Sequence, residues 1–378
     1  MNFNGGYKPL FYDRSVLICA RRNKIFKLHD DGTEEFLFSI PTTNINLLFL
    51  HSRLLSRLLR LGVYSSVIHN NTYFFCFSKK LYSYNPKQKI LSVEFYFEKG
   101  HGPLSFCSEI KLKGFSRTVY FGEYFSNKDL NAVRILKRNH NGTWVKCYEF
   151  AKGSINHNHR LVEDRQNNCI WILAGDFGSA AGIYRTTNNF TNVEKIVYGN
   201  QKYRSCVAFP LENGLLYATD SQFEKNSIRV LRNFNGEWIS CHLFDTNGPV
   251  IYGCELKDFY IFSTSVEPGK LEKNLLLKML DRESGPGIIN DYVEIIALDK
   301  DNLKLISVSK NAKDVFPPRL FQFGSAMFPS VTSHHNIIHA YFTATKFNEG
   351  KIEVIDMKNF HNSLLNGSLN LKNLRKKD

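Results

Sequence analysis

Eight of the side chains between residues 123 and 220 stand where they could together move a proton or hold an anion: Glu123, His157, His159, Arg160, Asp176, Tyr203, Arg204 and Asp220. His157 and His159 are two positions apart, so in an extended segment both imidazoles point the same way. A His or Tyr that takes a proton, with an arginine to hold a carboxylate, is what β-elimination from a uronic acid requires, since the arginine offsets charge on the developing enolate. Two carboxylates flanking a glycosidic bond would instead suit hydrolysis, one as acid and the other as base or nucleophile. Both chemistries fit this set. His157, His159, Tyr203, Glu123 and Asp176 are the candidate catalytic groups, and Arg204, Asp220 and Arg160 the candidate substrate-binding groups. Two imidazoles without a third ligand do not make a metal site, so neither a metal nor another cofactor is expected. Asp176 and Asp220 follow apolar runs as GD and TD, a setting in which aspartate also caps turns. Glu123 lies among aromatic residues in YFGEYF and needs a partner if buried.

These residues recur at matched places in a repeat. VRILKRNHNGTWVKCYEF (133–150) and IRVLRNFNGEWISCHLF (228–244) share an alternating basic strand, an Asn/Gly turn, a Trp that opens the next strand and a Cys three residues later. GIYRTTNNFTNVEKIVYG, from Gly182, is a weaker copy. The offset of roughly 45 to 50 residues is the size of a propeller blade. Upstream of each copy, RTVYFGEY, CIWILAGD, LLYATD and FYIFSTSVE are apolar runs that end in a small residue and then an acid. Before those come the short segments NHNHRLV, YRSCVAF and GPVIYGC. One unit is therefore four strands: a short first, a buried second ending at an acid, a third, and a fourth after the turn. Equivalent strand ends converge on one face around the axis. Glu123, Asp176 and Asp220 come from second-strand ends, and 156–160 and 202–205 are the linkers into the next first strands.

The fold class is thus all-β: a six- or seven-bladed propeller of four-stranded blades forming one domain over residues 1–358. The N-terminal SVLICARRNKIFKLHDDGTEEFLFSI offers three strands without a clear first one, so the two ends are expected to share a closing blade, which removes an exposed edge. Segment 47–64, LLFLHSRLLSRLLRLGVY, has helical period and predicts an inserted amphipathic helix, with Arg53, Arg57 and Arg60 on one face in solvent. A basic amphipathic helix can also lie on an anionic membrane, which makes 47–64 a candidate peripheral contact. Residues 359–378 read as a polar, basic tail.

The turns resemble degenerate Asp-boxes, the S-x-D-x-G-x-T-W turn of sialidase-like, BNR-repeat propellers. Asn141-Gly142-Thr143-Trp144 and Asn235-Gly236-Glu237-Trp238 keep the G-x-W end and lack the leading Ser-x-Asp. The resemblance covers about residues 115–245 and implies a glycan-active or glycan-binding propeller. It assigns neither the arginine triad nor the Tyr/Glu nucleophile pair of sialidases to positions here. An Asp-box mainly stabilises a turn, so it speaks for fold more than for activity.

Composition narrows the partners. A formal net charge of +14 favours an anionic one. The basic residues are dispersed rather than clustered with exposed aromatics, which argues against nucleic acid and leaves an acidic glycan or sugar as the expected substrate. The start, MNFNGGYKPLFYDR, lacks the features of a secretory signal, so a cytoplasmic location is expected, with any membrane contact peripheral to the inner face. The eight cysteines show no CxxC spacing and read as buried free thiols. The expected function is a lyase or glycoside hydrolase acting on an anionic polysaccharide or oligosaccharide in an axial pocket. The alternative is a non-catalytic glycan-binding or scaffold propeller in a membrane-associated polysaccharide biosynthesis assembly.

Overall fold

Second strands such as Cys169–Ala174, Gly214–Thr219 and Phe259–Thr264 are buried at every position. A short apolar run with no alternation is what a strand covered on both faces looks like. Fourth strands such as Trp144–Phe150 are mostly half-buried or exposed, as outer edges should be. A computed structural model, which describes residues 6–29, 31–108, 110–269, 274–330 and 335–361, shows how these strands are arranged. They form seven antiparallel sheets in chain order: blade 1 (8–39), blade 2 (63–96), blade 3 (120–150), blade 4 (158–198), blade 5 (205–246), blade 6 (250–312) and blade 7 (325–356). The chain is a seven-bladed β-propeller.

Blades 1, 2, 4, 5 and 6 have four strands, and blades 3 and 7 have three. In blade 3 the first strand is reduced to one bridge, Cys107 to Tyr120. Ring closure differs from the sequence expectation. Lys8–Asp13 supplies blade 1 with its own first strand, and blade 7 is built from Ser325–Met327, Ile337–Thr343 and Ile352–Asp356. Among the described residues no strand is exchanged. The ends meet side by side instead, with Ser330 N donating to Leu10 O at 2.8 Å and Tyr12 OH 2.6 Å from His339 Nδ1. The segment KPLFYD is short and opens on Lys8 and Pro9, which kept it from reading as a strand from sequence.

The tryptophans after the Asn/Gly turns wedge between blades. Trp238 of blade 5 meets Trp171 of blade 4 edge-on, with ring centroids 5.4 Å apart. Trp144 of blade 3 packs near Phe74 of blade 2 and donates its Nε1 to Glu94 at 3.0 Å. These aromatic contacts between neighbours hold the ring together. All eight cysteines are free, and six of them are buried.

The 47–64 segment is not one helix. It contains α1 (Asn44–Leu50) and α2 (Arg53–Leu58), broken where Ser52 caps α2 by accepting from Leu55 N. Its amphipathicity departs from the expected one at Arg57, while Arg53 and Arg60 are exposed as expected. Arg57 is 3% exposed, donates to Phe321 O at 2.6 Å and pairs with Asp314 at 2.6 Å, while Leu48 is 69% exposed. The half-buried carboxylates of Asp314 and Glu349 draw Arg57 in, Leu50 is buried, and Leu48, Leu55 and Leu58 are left outside. α3 (Leu275–Leu280) and α4 (Pro318–Phe321) lie in connections on the same face, between strands that end and begin there. The expected tail begins with a short helix, Lys358–His361, and from 362 onward lies outside the described residues. Among the described residues no helix is long and apolar enough to cross a membrane.

Candidate functional site

The first strand of every four-stranded blade carries a bulge near its start. The register slips between Pro9 and Phe11, Val63 and Ser66, Asn158 and Arg160, Ser205 and Val207, and Val250 and Tyr252. An extra residue in one strand bends it and re-aims its side chain. His159 and Cys206 are such residues, and both turn into the axial cluster.

That cluster joins blades 3 to 6. His157 Nδ1 lies 3.0 Å from Phe125 O of blade 3, and His159 Nδ1 lies 2.9 Å from Ser205 O of blade 5. Asp176 Oδ2 is 3.3 Å from His157 Nε2, and its Oδ1 is 3.2 Å from His159 Nε2 and 3.4 Å from Arg204 Nη2. Arg204 Nε is 3.5 Å from Asp220 Oδ2, which also accepts from Cys206 Sγ at 3.2 Å. Gly175 makes the approach of Asp176 possible: its φ is +76°, and a Cβ there would sit 1.7 Å from Ala180 O. The Tyr124 ring covers His157, with centroids 4.3 Å apart.

Charge in this group is tightly balanced. Burial would raise the Asp176 carboxyl, but its side-chain contacts with His157 and His159 and the charge of Arg204 outweigh it and hold the group well below the usual carboxylate range. Burial likewise works against the Arg204 charge, and Asp220, Asp176 and Glu267 together raise its pKa instead. Glu267, from the end of the second strand of blade 6, is pushed up to about 8, by burial first and by Asp220 second. Asp220 Oδ1 and Arg204 Nε are buried without a hydrogen-bond partner among the described residues.

Five of the eight predicted residues thus meet at the axis: His157, His159, Asp176, Arg204 and Asp220. Arg160 lies beside them. Burial lowers its pKa, and the groups nearest its charge are the thiols of Cys107, Cys206 and Cys254 on blades 3, 5 and 6, which places it inside the ring of first strands. Among the described residues it has no hydrogen bond or ion pair. Glu123 and Tyr203 are elsewhere. Glu123 pairs with Arg134 at 2.6 Å and lines a separate cavity of about 410 Å³ between blades 2 and 3, with Phe95, Phe97, Lys99 and Tyr124. Tyr203 packs against the core of Trp171, Tyr217 and Trp238, away from its neighbour Arg204.

The sequence reading missed Glu267, Tyr124 and Cys206. Glu267 was within reach, because FYIFSTSVE occupies the same register as CIWILAGD and LLYATD. Tyr124 and Cys206 gave no such signal. Among the described residues, those grouped closely enough to hold a metal are His157, His159 and Asp176, with His159, Cys206 and Asp220 as a second set.

No protein-family profile matches this sequence, and no curated protein matches it. The fold has solved counterparts. The chain is similar to an oligogalacturonate lyase from Vibrio parahaemolyticus at 11% identity, covering 94% of this chain and 93% of that one, with a TM-score of 0.56. It is also similar to a catalytically inactive virginiamycin B lyase from Staphylococcus aureus solved with quinupristin, at 11% identity, 94% and 97% coverage and a TM-score of 0.50. A chain of a mitotic checkpoint complex matches at 9% identity, 94% and 93% coverage and a TM-score of 0.51. At such identities the likeness shows the propeller fold alone. The sialidase-like resemblance rests on the turns only, since no repeat family matches.

Proposed function

We propose that the axial cluster binds an anionic oligosaccharide and cleaves it by β-elimination. The observation that carries this reading is Arg160, a half-buried guanidinium inside the ring with no counter-ion among the described residues. A guanidinium partly withdrawn from water with no carboxylate beside it is a ready place for an anion, and a carboxylate on the ligand would neutralise it. Arg204 stands nearby as a second cation, and the unpartnered Asp220 Oδ1 offers an acceptor for a sugar hydroxyl. The likeness in fold to an oligogalacturonate lyase supports the same substrate class.

In this scheme Arg160 and Arg204 hold the uronate carboxylate and offset the charge that develops on it as the proton at C5 leaves. Glu267 is the proton acceptor. Burial and the charge of Asp220 raise its basicity, Arg204 and the hydrogen bond to Ser265 oppose that, and Asp176 and Tyr252 complete its titratable surroundings. A base whose pKa lies near the working pH is the efficient one. The C4–O bond then breaks, a C4–C5 double bond forms, and the leaving oxygen takes a proton. The test is incubation with oligomers of uronic acids while following ultraviolet absorbance of the unsaturated product. The expected result is absorbance that grows with time and is lost in Arg160→Met. New reducing ends without absorbance would mean hydrolysis, and no turnover with tight binding would mean a binding module.

A second reading is favoured by the exposed leucines of α1, α2 and α3: a non-catalytic propeller that holds a glycan while docked on an anionic membrane. Leu275 is 74% exposed, and Ile45, Leu276 and Leu277 are exposed on the same face. A net charge of +14 complements an anionic surface. Sedimentation with phosphatidylglycerol vesicles should carry the protein down, and Leu48→Ser with Leu276→Ser should release it. Equal behaviour with neutral phosphatidylcholine vesicles, or no binding, overturns this reading.

A further inference from the structure

His157 and His159 face each other with their Nε2 atoms 3.0 Å apart. Both rings are fixed from behind, His157 Nδ1 on Phe125 O and His159 Nδ1 on Ser205 O. A carbonyl oxygen can only accept, so both Nδ1 atoms carry hydrogen. In neutral imidazoles this leaves two bare Nε2 lone pairs aimed at one another, and the Asp176 carboxylate meets the same two atoms at 3.3 and 3.2 Å. Both histidines are buried, at 6% and 3% exposure, so water does not screen the repulsion. One added proton can answer one of these three contacts. A doubly charged cation answers all of them.

The spacing is that of coordination as well. Donors at about 2.1 Å from a common ion, subtending roughly 90 to 105° at it, stand about 3.0 to 3.3 Å apart. The Nδ1–H groups bonded to backbone carbonyls are the outer contacts that fix tautomer and ring orientation in metal-binding histidines. Asp176 is the third ligand that the sequence left unassigned.

We propose that His157, His159 and Asp176 bind a single divalent first-row transition-metal ion. Two imidazole nitrogens with one carboxylate select Mn²⁺ or Zn²⁺ over Mg²⁺ or Ca²⁺, which take all-oxygen sites. Three protein ligands leave coordination positions free, and the Asp176 side chain keeps 18% exposure, so a bound ion could take a further ligand. The inference stands on the donors themselves and does not depend on the glycan reading.

The experiment uses the full chain, treated with chelator and returned to metal-free buffer, then titrated separately with Mn²⁺, Zn²⁺ and Mg²⁺. Bound metal is measured by elemental mass spectrometry after gel filtration, with no substrate present, so its failure and the failure of the glycan reading are told apart. The expected result is one Mn²⁺ or Zn²⁺ per chain, a rise in Tm on binding, and more than tenfold weaker binding in His157→Gln, His159→Gln and Asp176→Asn. Glu123→Gln should bind as the parent does. Should a variant fail to fold by circular dichroism, pulsed electron paramagnetic resonance of the Mn²⁺-loaded parent decides, and coupling to imidazole nitrogen is expected. Absence of saturable Mn²⁺ or Zn²⁺ binding, absence of nitrogen coupling, or equal affinity for Mg²⁺ overturns the proposal. Loss of metal in Cys206→Ser with retention in Asp176→Asn would move the site to the neighbouring cluster and overturn this assignment.

Discussion

Replacing Arg204 with methionine keeps most of the stem volume and removes the cation that faces Asp176, Asp220 and Glu267. The two closest contacts are 3.4 Å to Asp176 Oδ1 and 3.5 Å to Asp220 Oδ2, with Arg204 7% and Asp220 5% exposed in their side chains. At an effective dielectric of about 20, a unit-charge contact at that range is worth about 4 to 5 kcal/mol before desolvation. Most of that gross attraction offsets the cost of burying the charges. Removing one partner of a buried pair nevertheless costs about 3 to 5 kcal/mol, because the remaining charge is stranded. The carboxylates left behind can escape by taking up protons, so the loss should depend on pH. In the parent, Asp176 has a depressed pKa in the fold, so its stabilisation is present above the unfolded pKa and lost as pH falls through the folded one. In Arg204→Met that depression shrinks. The gap between parent and variant should therefore be wide at neutrality and narrow only as the pH falls below the ordinary aspartate value of about 4. Guanidinium denaturation at a series of pH values measures it. A loss below about 1 kcal/mol at neutral pH, in the range of ordinary surface changes, or a gap indifferent to pH would refute the role of Arg204 as the shared counter-ion.

Three further perturbations separate the parts of the site. Glu267 has a raised folded pKa, so its contribution is complete below the unfolded value and is lost as pH rises through about 8. Glu267→Gln should therefore gain Tm over the parent on the alkaline side and abolish turnover of uronate oligomers. Gly175→Ala forces a side chain into φ +76° and against Ala180 O, and should cost at least about 1 to 3 kcal/mol in a denaturation curve while displacing Asp176. Glu123→Gln breaks a pair whose Arg134 partner is 42% exposed, so its stability cost should stay under about 1 kcal/mol and turnover should be unchanged. A loss of activity there would relocate the chemistry to the cavity between blades 2 and 3.

Much of the architecture was legible in the repeat. Apolar second strands, Asn/Gly turns and Trp-opened fourth strands fall where the register put them, as Cys169–Ala174 and Trp144–Phe150 show. Closure was not legible, because Lys8–Asp13 is a short strand whose pairing with Val16–Arg21 is specified by contact rather than by its own pattern. The helical insertion was half legible. Its leucine and arginine rows were visible, but that Arg57 turns to the protein depends on Asp314 and Glu349, which are distant from it in sequence and close to it in space.

The candidate site divides the same way. The repeat by itself determined that Glu123, Asp176, Asp220 and, had it been followed one blade further, Glu267 lie at equivalent strand ends on one face, because blades of one sequence pattern share one hydrogen-bonding frame. Only the tertiary structure decided which of them look inward. Glu123 N donates to Arg134 O on the third strand of its blade, whereas Asp220 N donates to Arg204 O beside the first. Along a strand the N–H direction and the side-chain face alternate together, so those two bonds send the carboxylates to opposite faces. Bulges do the rest: His159 and Cys206 turn inward where the first strands slip register, and a one-residue slip leaves no mark in a sequence until its partner strand is known.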